Sequence, residues 1–159
     1  MTPAQIMLVQ RSFADVLPIA DRAAALFYER LFVLDPTLRP LFHGDMREQG
    51  HKLMTMLRVV VAGLHRLEAL SPVVQQLGIR HRGYGVTEAH YATVGTALLW
   101  TLQQGLGERF TPEVQEAWTT AYTLLADTMQ AAAAAADARQ ETMEAALVVW
   151  GAQPETRGG

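Results

Sequence analysis

The sequence predicts an all-α fold built as one domain. Nearly every long segment has apolar residues at helical spacing, and no segment shows the strict alternation of a half-buried strand. Proline and glycine residues divide these segments into lengths that suit helices. A chain of 159 residues, of which 50% are apolar, can bury one core and leaves little room for a second domain.

The first two helices have clear boundary signals. Thr2 and Pro3 suit the cap and the first position of helix one, which we expect to end before Pro18. The second helix is predicted from about residue 19 to residue 34, with leucine and phenylalanine side chains at spacings of three and four.

The next two helices are separated by a proline. Helix three is predicted over about residues 46–64, where leucine, methionine and valine follow the helical period. Ser71-Pro72 predicts the start of helix four, because proline is tolerated in the first turn. Glycines near residues 81–85 then predict where helix four ends.

The last two helices begin at threonine residues. Thr87 opens helix five, which is predicted to run to about Leu106. Thr111 caps helix six, whose first position is proline. The alanine run at 131–136 has a high helix propensity, so helix six is expected to continue through it.

The end of the chain is predicted to be an extension of the domain. We place the domain at residues 1–136 and a partly helical extension at 137–159, with a frayed and disordered end. One side of the extension is apolar and is expected to pack on the domain or on a partner. That side consists of Met143, Ala146, Leu147 and Trp150.

Charge and hydropathy exclude several classes of partner. The formal net charge is −3, from 13 basic and 16 acidic residues, whereas nucleic-acid binding needs a dense basic face. A polybasic membrane anchor is equally absent. The start of the chain does not resemble a signal peptide, and no apolar run approaches the ~20 residues of a membrane helix. We therefore expect a soluble, cytoplasmic protein with no nucleic-acid or membrane partner.

Several kinds of catalytic or metal site are excluded by residue type. The chain has no cysteine, so it cannot form disulfides, thiolate zinc sites or a cysteine nucleophile. None of its five histidines forms a convincing zinc pair, and there is no phosphate-binding loop or nucleophile elbow. What remains is His81 at the predicted end of helix four, with a group of aromatic residues far upstream.

An ordered set of segments carries a family resemblance. The segments are LFYERLFVLDPTLRPLF (26–42), EQGHKLM (48–54), LGIRHRGYGV (77–86), HYATVGTALLWTL (90–102) and FTPEVQEAWTTAY (110–122). Over roughly residues 4–130 the chain resembles the bacterial single-domain globins, and it is similar to neuroglobins and to the globin domain of flavohaemoglobins. The resemblance implies a globin fold, which is a three-over-three helical sandwich around one haem b (iron protoporphyrin IX).

The resemblance implies a role for each matching residue. His81 corresponds to the proximal histidine and would be the metal ligand, since neutral imidazole is a strong donor to haem iron. Phe42 corresponds to the phenylalanine that packs against the haem. Other implied cofactor contacts are Lys52 and Arg80 near the propionates, and Leu77, Tyr84, Val86, Tyr91 and Val94.

On the opposite, distal side the resemblance implies Tyr28, Gln49 and Leu53. The Tyr28 hydroxyl and the Gln49 amide can each donate a hydrogen bond to O2, which takes on partial negative charge. Leu53 would lie one turn after Gln49 and press on the ligand. Tight O2 binding is therefore expected. Lys52 is not expected to bind iron, because the lysine would first have to lose its proton and its hydration.

The chain departs from the flavohaemoglobin pattern on the proximal side. In that family the proximal histidine, a tyrosine and a glutamate form a polar network that strengthens the imidazole as a ligand. Tyr91 matches the tyrosine, but the glutamate position falls near Ala133. Flavin and nicotinamide domains are also absent from this sequence, so NO oxidation would need an external reductase.

The implied function is reversible binding of O2, and of CO or NO as alternative ligands, for oxygen transport or scavenging. Three alternatives stay open: an NO dioxygenase that depends on an external reductase, a haem-based gas sensor, and a haem-free helical interaction module. The expected assembly is a monomer or a weak homodimer.

Overall fold

The computed structural model describes the backbone of residues 1–151 and the side chains of residues 1–149. This part of the chain is helical and contains no strand, which confirms the predicted all-α fold. Short 3-10 segments join several of the helices. The α-helices are α1 (Pro3–Val16), α2 (Ala20–Leu34), α3 (Met46–Ala62), α4 (Leu67–Gly83), α5 (Glu88–Leu106) and α6 (Pro112–Gly151).

The predicted caps form as local hydrogen bonds. The Gln5 backbone N–H donates to the Thr2 hydroxyl at 3.1 Å, and the Gln5 side chain accepts from the Thr2 N–H at 3.0 Å. At the start of α5, the Thr87 N–H donates to Nδ1 of His90 at 3.0 Å. These side chains satisfy N–H groups that a helix start leaves free. His90 is therefore used as a capping residue.

The predicted start of helix four is wrong. The helix begins at Leu67, so Pro72 lies inside its second turn instead of at its first position. Proline there removes one intrahelical hydrogen bond. Packing of the preceding residues offsets that loss: Leu67 contacts the core, and Leu70 occupies the space beside Gly63, with Cδ1 2.4 Å from where a Cβ would be.

The core lies between α1, α2, α5 and α6. The indole of Trp118 on α6 packs on Phe13 of α1, with ring centroids 6.2 Å apart. Its Nε1–H donates to the buried hydroxyl of Ser12 at 2.8 Å. This bond joins residues 106 positions apart in the sequence, so it ties the two ends of the domain together.

Two close helix crossings set the frame around the candidate site. α2 meets α3 at Ala24 and Gly50, where a Cβ on the glycine would lie 3.0 Å from the Ala24 Cβ. α4 meets α6 at Gly78, where a Cβ would lie 2.1 Å from the Met129 carbonyl oxygen. Glycine is required at Gly78, because the obstacle is backbone and cannot turn aside.

Helix α6 is one continuous helix of 40 residues, and it passes through the alanine run without interruption. From residue 138 to residue 149 every side chain is exposed. Met143 and Leu147 are 65% and 64% exposed, so neither side chain packs back on the domain. The side chain of Trp150, the last residue of the predicted apolar side, lies outside the described residues. The predicted frayed end, beyond Gly151, lies outside the described residues. The boundary at residue 136 stays a prediction.

Among the described residues, no helix combines the length and the apolar character that crossing a bilayer would require.

Candidate functional site

Three aromatic side chains form a cluster where α2 ends. Tyr28 and Phe32 lie one turn apart on α2, and their rings stack with centroids 6.1 Å apart. Phe42 meets both rings edge to face, at 5.3 Å from Tyr28 and 5.5 Å from Phe32. Tyr28 is only 7% exposed. The predicted residues Tyr28 and Phe42 therefore lie in direct contact.

A short 3-10 segment, Pro36–Leu41, delivers Phe42 to this cluster. Asp35 caps the segment by accepting from the Thr37 N–H at 3.0 Å. At its other end the Phe42 N–H donates to the Arg39 carbonyl at 3.1 Å. The Arg39 guanidinium lies over the Phe32 ring, 5.4 Å from its centroid.

Gln49 on α3 joins the aromatic cluster as its polar member. Burial raises the pKa of Tyr28, and a hydrogen bond with the Gln49 side chain partly opposes this rise. The phenol therefore stays protonated at neutral pH and keeps an O–H to donate. The two polar distal residues that the resemblance implies thus lie next to each other on a largely apolar surface.

His81 lies in the last turn of α4 with its ring orientation fixed. Its Nδ1 is 2.7 Å from the carbonyl oxygen of Leu77, one turn earlier, and the ring is half-buried. A carbonyl can only accept, so Nδ1 carries a proton, and in the neutral imidazole Nε2 then keeps its lone pair. Such a histidine is prepared to bind a metal through Nε2.

The turn after His81 lies against the segment that carries Phe42. The Val86 N–H donates to the His81 carbonyl at 3.0 Å, and Gly85 has a φ of +88°. A methyl group of Leu41 lies 3.9 Å from where a Cβ on Gly85 would be. The chain therefore brings the histidine turn and the aromatic cluster together through Leu41, the neighbour of Phe42.

The other predicted cofactor contacts differ in exposure. Tyr84 is 69% exposed. Lys52 and Arg80 are also exposed, as suits side chains expected at the rim of a site. The half-buried contacts are Leu53, Leu77, Val86, Tyr91 and Val94.

Tyr122 on α6 was not predicted. Its hydroxyl donates to the backbone carbonyl of Tyr91, and its ring covers Gly95, with Cε1 2.6 Å from where a Cβ would be. Burial raises the pKa of Tyr122, and the nearby Tyr91 raises it further. Gly95 was the sequence signal for this contact, because a glycine in the middle of a predicted helix indicates close approach of another group.

Comparison with known proteins identifies the family. The family model described as Globin matches residues 25–129, which is more than half of the chain. The chain belongs to the globin family.

Curated relatives of this globin are larger proteins. It is 33% identical over 104 residues to a flavohemoprotein of Bacillus subtilis and 36% identical over 104 residues to one of Bordetella parapertussis. Each alignment covers 64% of this chain and 26% of the relative. The globin thus spans about a quarter of the length of the curated relatives it matches.

Solved structures confirm the predicted globin fold. An engineered carbene transferase, described as a proposed nitric oxide dioxygenase from Rhodothermus marinus, matches with a TM-score of 0.79 and 25% identity. That match covers 89% of this chain and 99% of the other. A bacterial globin from Campylobacter jejuni matches with a TM-score of 0.72 and 23% identity, over 83% of this chain and 96% of the other.

The residues present fit the haem that the globin family implies. His81 offers one free ring nitrogen, and the half-buried apolar side chains suit a flat porphyrin. Among the described residues there is no cluster of three or more histidine and carboxylate groups that would hold a bare metal ion instead. Ala133 is buried at 6% exposure, so no carboxylate comes from that position.

Proposed function

We propose that this globin binds haem b through Nε2 of His81 and reversibly binds O2. The hydrogen bond from Nδ1–H of His81 to the Leu77 carbonyl is the observation that carries the proposal. It fixes the tautomer and the ring orientation that metal binding through the other nitrogen requires. CO and NO are alternative ligands of the same site.

When bound, the haem would supply a ferrous iron that takes a diatomic ligand. The distal side chains would then act on that ligand. The hydroxyl of Tyr28 and the amide of Gln49 are donors that lie together, and each can hydrogen-bond an acceptor that carries partial negative charge. Phe42 and Leu53 would keep water from the same space, which strengthens those hydrogen bonds.

The proximal side favours reversible binding over strongly oxidising chemistry. The hydrogen-bond partner of the His81 ring is a backbone carbonyl, which is a weaker acceptor for the Nδ1–H group than a carboxylate is. The ligand strength of the imidazole is accordingly lower than it would be beside a glutamate. Tyr91 is present, and its backbone carbonyl accepts a hydrogen bond from the Tyr122 hydroxyl of α6.

The deciding experiment is the visible absorption spectrum of the purified protein after haem is added, in the ferric and the ferrous state. We expect a strong Soret band, and a ferrous spectrum that shifts when O2 or CO is supplied. The His81→Ala variant should lose stable haem binding. His65→Ala is the matched control, because His65 is exposed in a 3-10 turn distant in sequence from α4's end.

Two outcomes contradict this proposal. One is a wild-type protein that stays colourless with haem, which would leave a helical module without a cofactor. The other is a His81→Ala variant that keeps the wild-type ferrous spectrum, which would assign the iron to another residue.

NO dioxygenation is the second candidate function. It is supported by the flavohemoprotein relatives and by the Rhodothermus marinus protein, which is described as a proposed nitric oxide dioxygenase. The reaction joins NO, O2 and one electron to give nitrate, so a reductase must supply the electron. Consumption of NO by the haem-loaded protein over many cycles with a flavin reductase would favour this function. A single turnover without recovery would favour reversible O2 binding.

A further inference from the structure

A groove lies between α2 and α3 on the outside of the distal side. Its volume is about 410 Å³. Small or apolar residues come from both helices: Ala24, Ala25 and Phe32 from α2, and Met46 and Gly50 from α3. The exposed side chains of Glu29 and Arg47 also line the groove. The groove persists because the two helices touch through Ala24 and Gly50, which have little side chain to fill the space beside the crossing.

Tyr28 forms the inner wall of this groove. The same ring meets Phe42 edge to face at 5.3 Å, and its hydroxyl interacts with Gln49. One face of the side chain therefore belongs to the groove, while its edge and hydroxyl belong to the distal group. The groove and the distal group thus meet at one buried side chain.

Polar side chains lie along the edge of the groove. The Asp21 carboxylate on α2 and Nε2 of His51 on α3 are 3.1 Å apart beside the crossing, and both side chains are exposed. Arg39 covers the groove elsewhere. It is exposed, and one of its guanidinium nitrogens is 3.4 Å from the Phe42 carbonyl and 3.7 Å from Sδ of Met46. A long exposed side chain in this position can move without unfolding anything.

We propose that the groove between α2 and α3 is the route by which the diatomic ligand enters and leaves, with Tyr28 as its inner wall and Arg39 as its outer cover. The inference rests on the proposed function. Apolar walls suit a small uncharged gas, since they offer it passage without a strong binding site. A route of this kind changes the rates of binding and release together and leaves the equilibrium constant unchanged.

The test is Ala25→Trp. Ala25 is exposed on α2 and lines the groove, so an indole there can fill the groove without entering the core. Ala62→Trp is the matched control, because Ala62 is an exposed helical alanine that is not among the groove residues. CO is the probe, and its association and dissociation rates are measured by flash photolysis and ligand replacement on the haem-loaded proteins.

We expect both rates in Ala25→Trp to fall by the same factor, roughly tenfold, which lies within the range seen among variants of one site. The CO dissociation constant and the CO-bound spectrum should not change. Ala62→Trp should match the wild type. Arg39→Ala should raise both rates, because it removes the cover, while the haem content and the urea denaturation midpoint stay at the wild-type values.

The outcomes separate the route from the function. An unchanged association rate in Ala25→Trp, with normal haem content and a normal CO spectrum, overturns the route and leaves the proposed function standing. A change in the dissociation rate alone also overturns it, because the substitution would then act on the bound ligand. A wild-type protein that takes up no haem overturns the proposed function and the route with it.

Discussion

The distal and the proximal sides of this globin are held in place by different means. On the distal side, buried rings touch one another: Tyr28 contacts both Phe32 and Phe42. On the proximal side, α4 meets α6 backbone to backbone at Gly78 and Met129, and His81 is held by the carbonyl of its own helix. The distal side depends on side-chain packing, and the proximal side depends on backbone position.

This difference indicates where substitutions should alter ligand chemistry and where they should alter stability. In the proposed function, the distal side chains present donors towards the ligand, so replacing one should change ligand binding more than folding. Proximal contacts place a helix, so replacing one should change folding first. Three substitutions test this division, and the largest expected effect comes first.

Gly78→Ala should destabilise the protein by about 3 kcal/mol, the upper part of the range for overpacked sites. The new methyl would sit 2.1 Å from the Met129 carbonyl oxygen, and neither helix backbone can yield. Urea denaturation of the haem-free and haem-loaded proteins measures the loss. Gly83→Ala is the matched control on the same helix: nothing lies within 4 Å of its Cβ position, so it should be neutral or stabilise by up to ~1 kcal/mol. Equal stabilities of the two variants would contradict close packing at Gly78.

Tyr28→Phe should speed the release of O2 by roughly tenfold to a hundredfold, because a hydrogen bond to a charged acceptor contributes about 1.5–3 kcal/mol. Stopped-flow replacement of O2 by CO gives the rate. Tyr122→Phe is the matched control, because it also removes a tyrosine hydroxyl, but one on the proximal side that donates to the Tyr91 carbonyl. It should leave the rate of O2 release near the wild-type value. Similar O2 release from the two variants would break the distinction between the sides.

Tyr122→Phe should instead lower the free energy of unfolding at neutral pH by about 1 kcal/mol, the usual contribution of one hydrogen bond.

Tyr122→Phe should also change how the free energy of unfolding depends on pH above neutrality. Burial raises the pKa of Tyr122 above its ordinary value of 10.0, so the unfolded chain ionises first. The contribution of this phenol is complete below about pH 10 and is lost as the pH rises through the folded-state pKa. Denaturation curves from pH 8 to pH 11 should fall less steeply for the variant. Parallel curves would exclude Tyr122 as a source of alkaline instability.

Prediction from the sequence was most accurate where the signals were local. Thr2 and Thr87 cap the helices they were expected to cap. The roles of Tyr28, Phe42, Gln49 and His81 came from the family resemblance, and the structure places the first three together. Their roles in binding haem and gas stay predictions. The position of Tyr122 was not predicted, because its partner Tyr91 lies 31 residues earlier in the sequence.

Sequence alone determined the helical class and most helix boundaries, because caps, glycines and helical periodicity act within a few residues. The family followed from the resemblance of an ordered set of segments to known globins. Tertiary structure decided the rest. It carried α4 back to Leu67 through Pro72, because the half-buried leucines of the first turn gain packing that offsets one lost hydrogen bond. It set the groove beside Tyr28 and the contact at Gly78, because both depend on how closely two helices approach. Residues far apart in the chain set that distance, and no single segment encodes it.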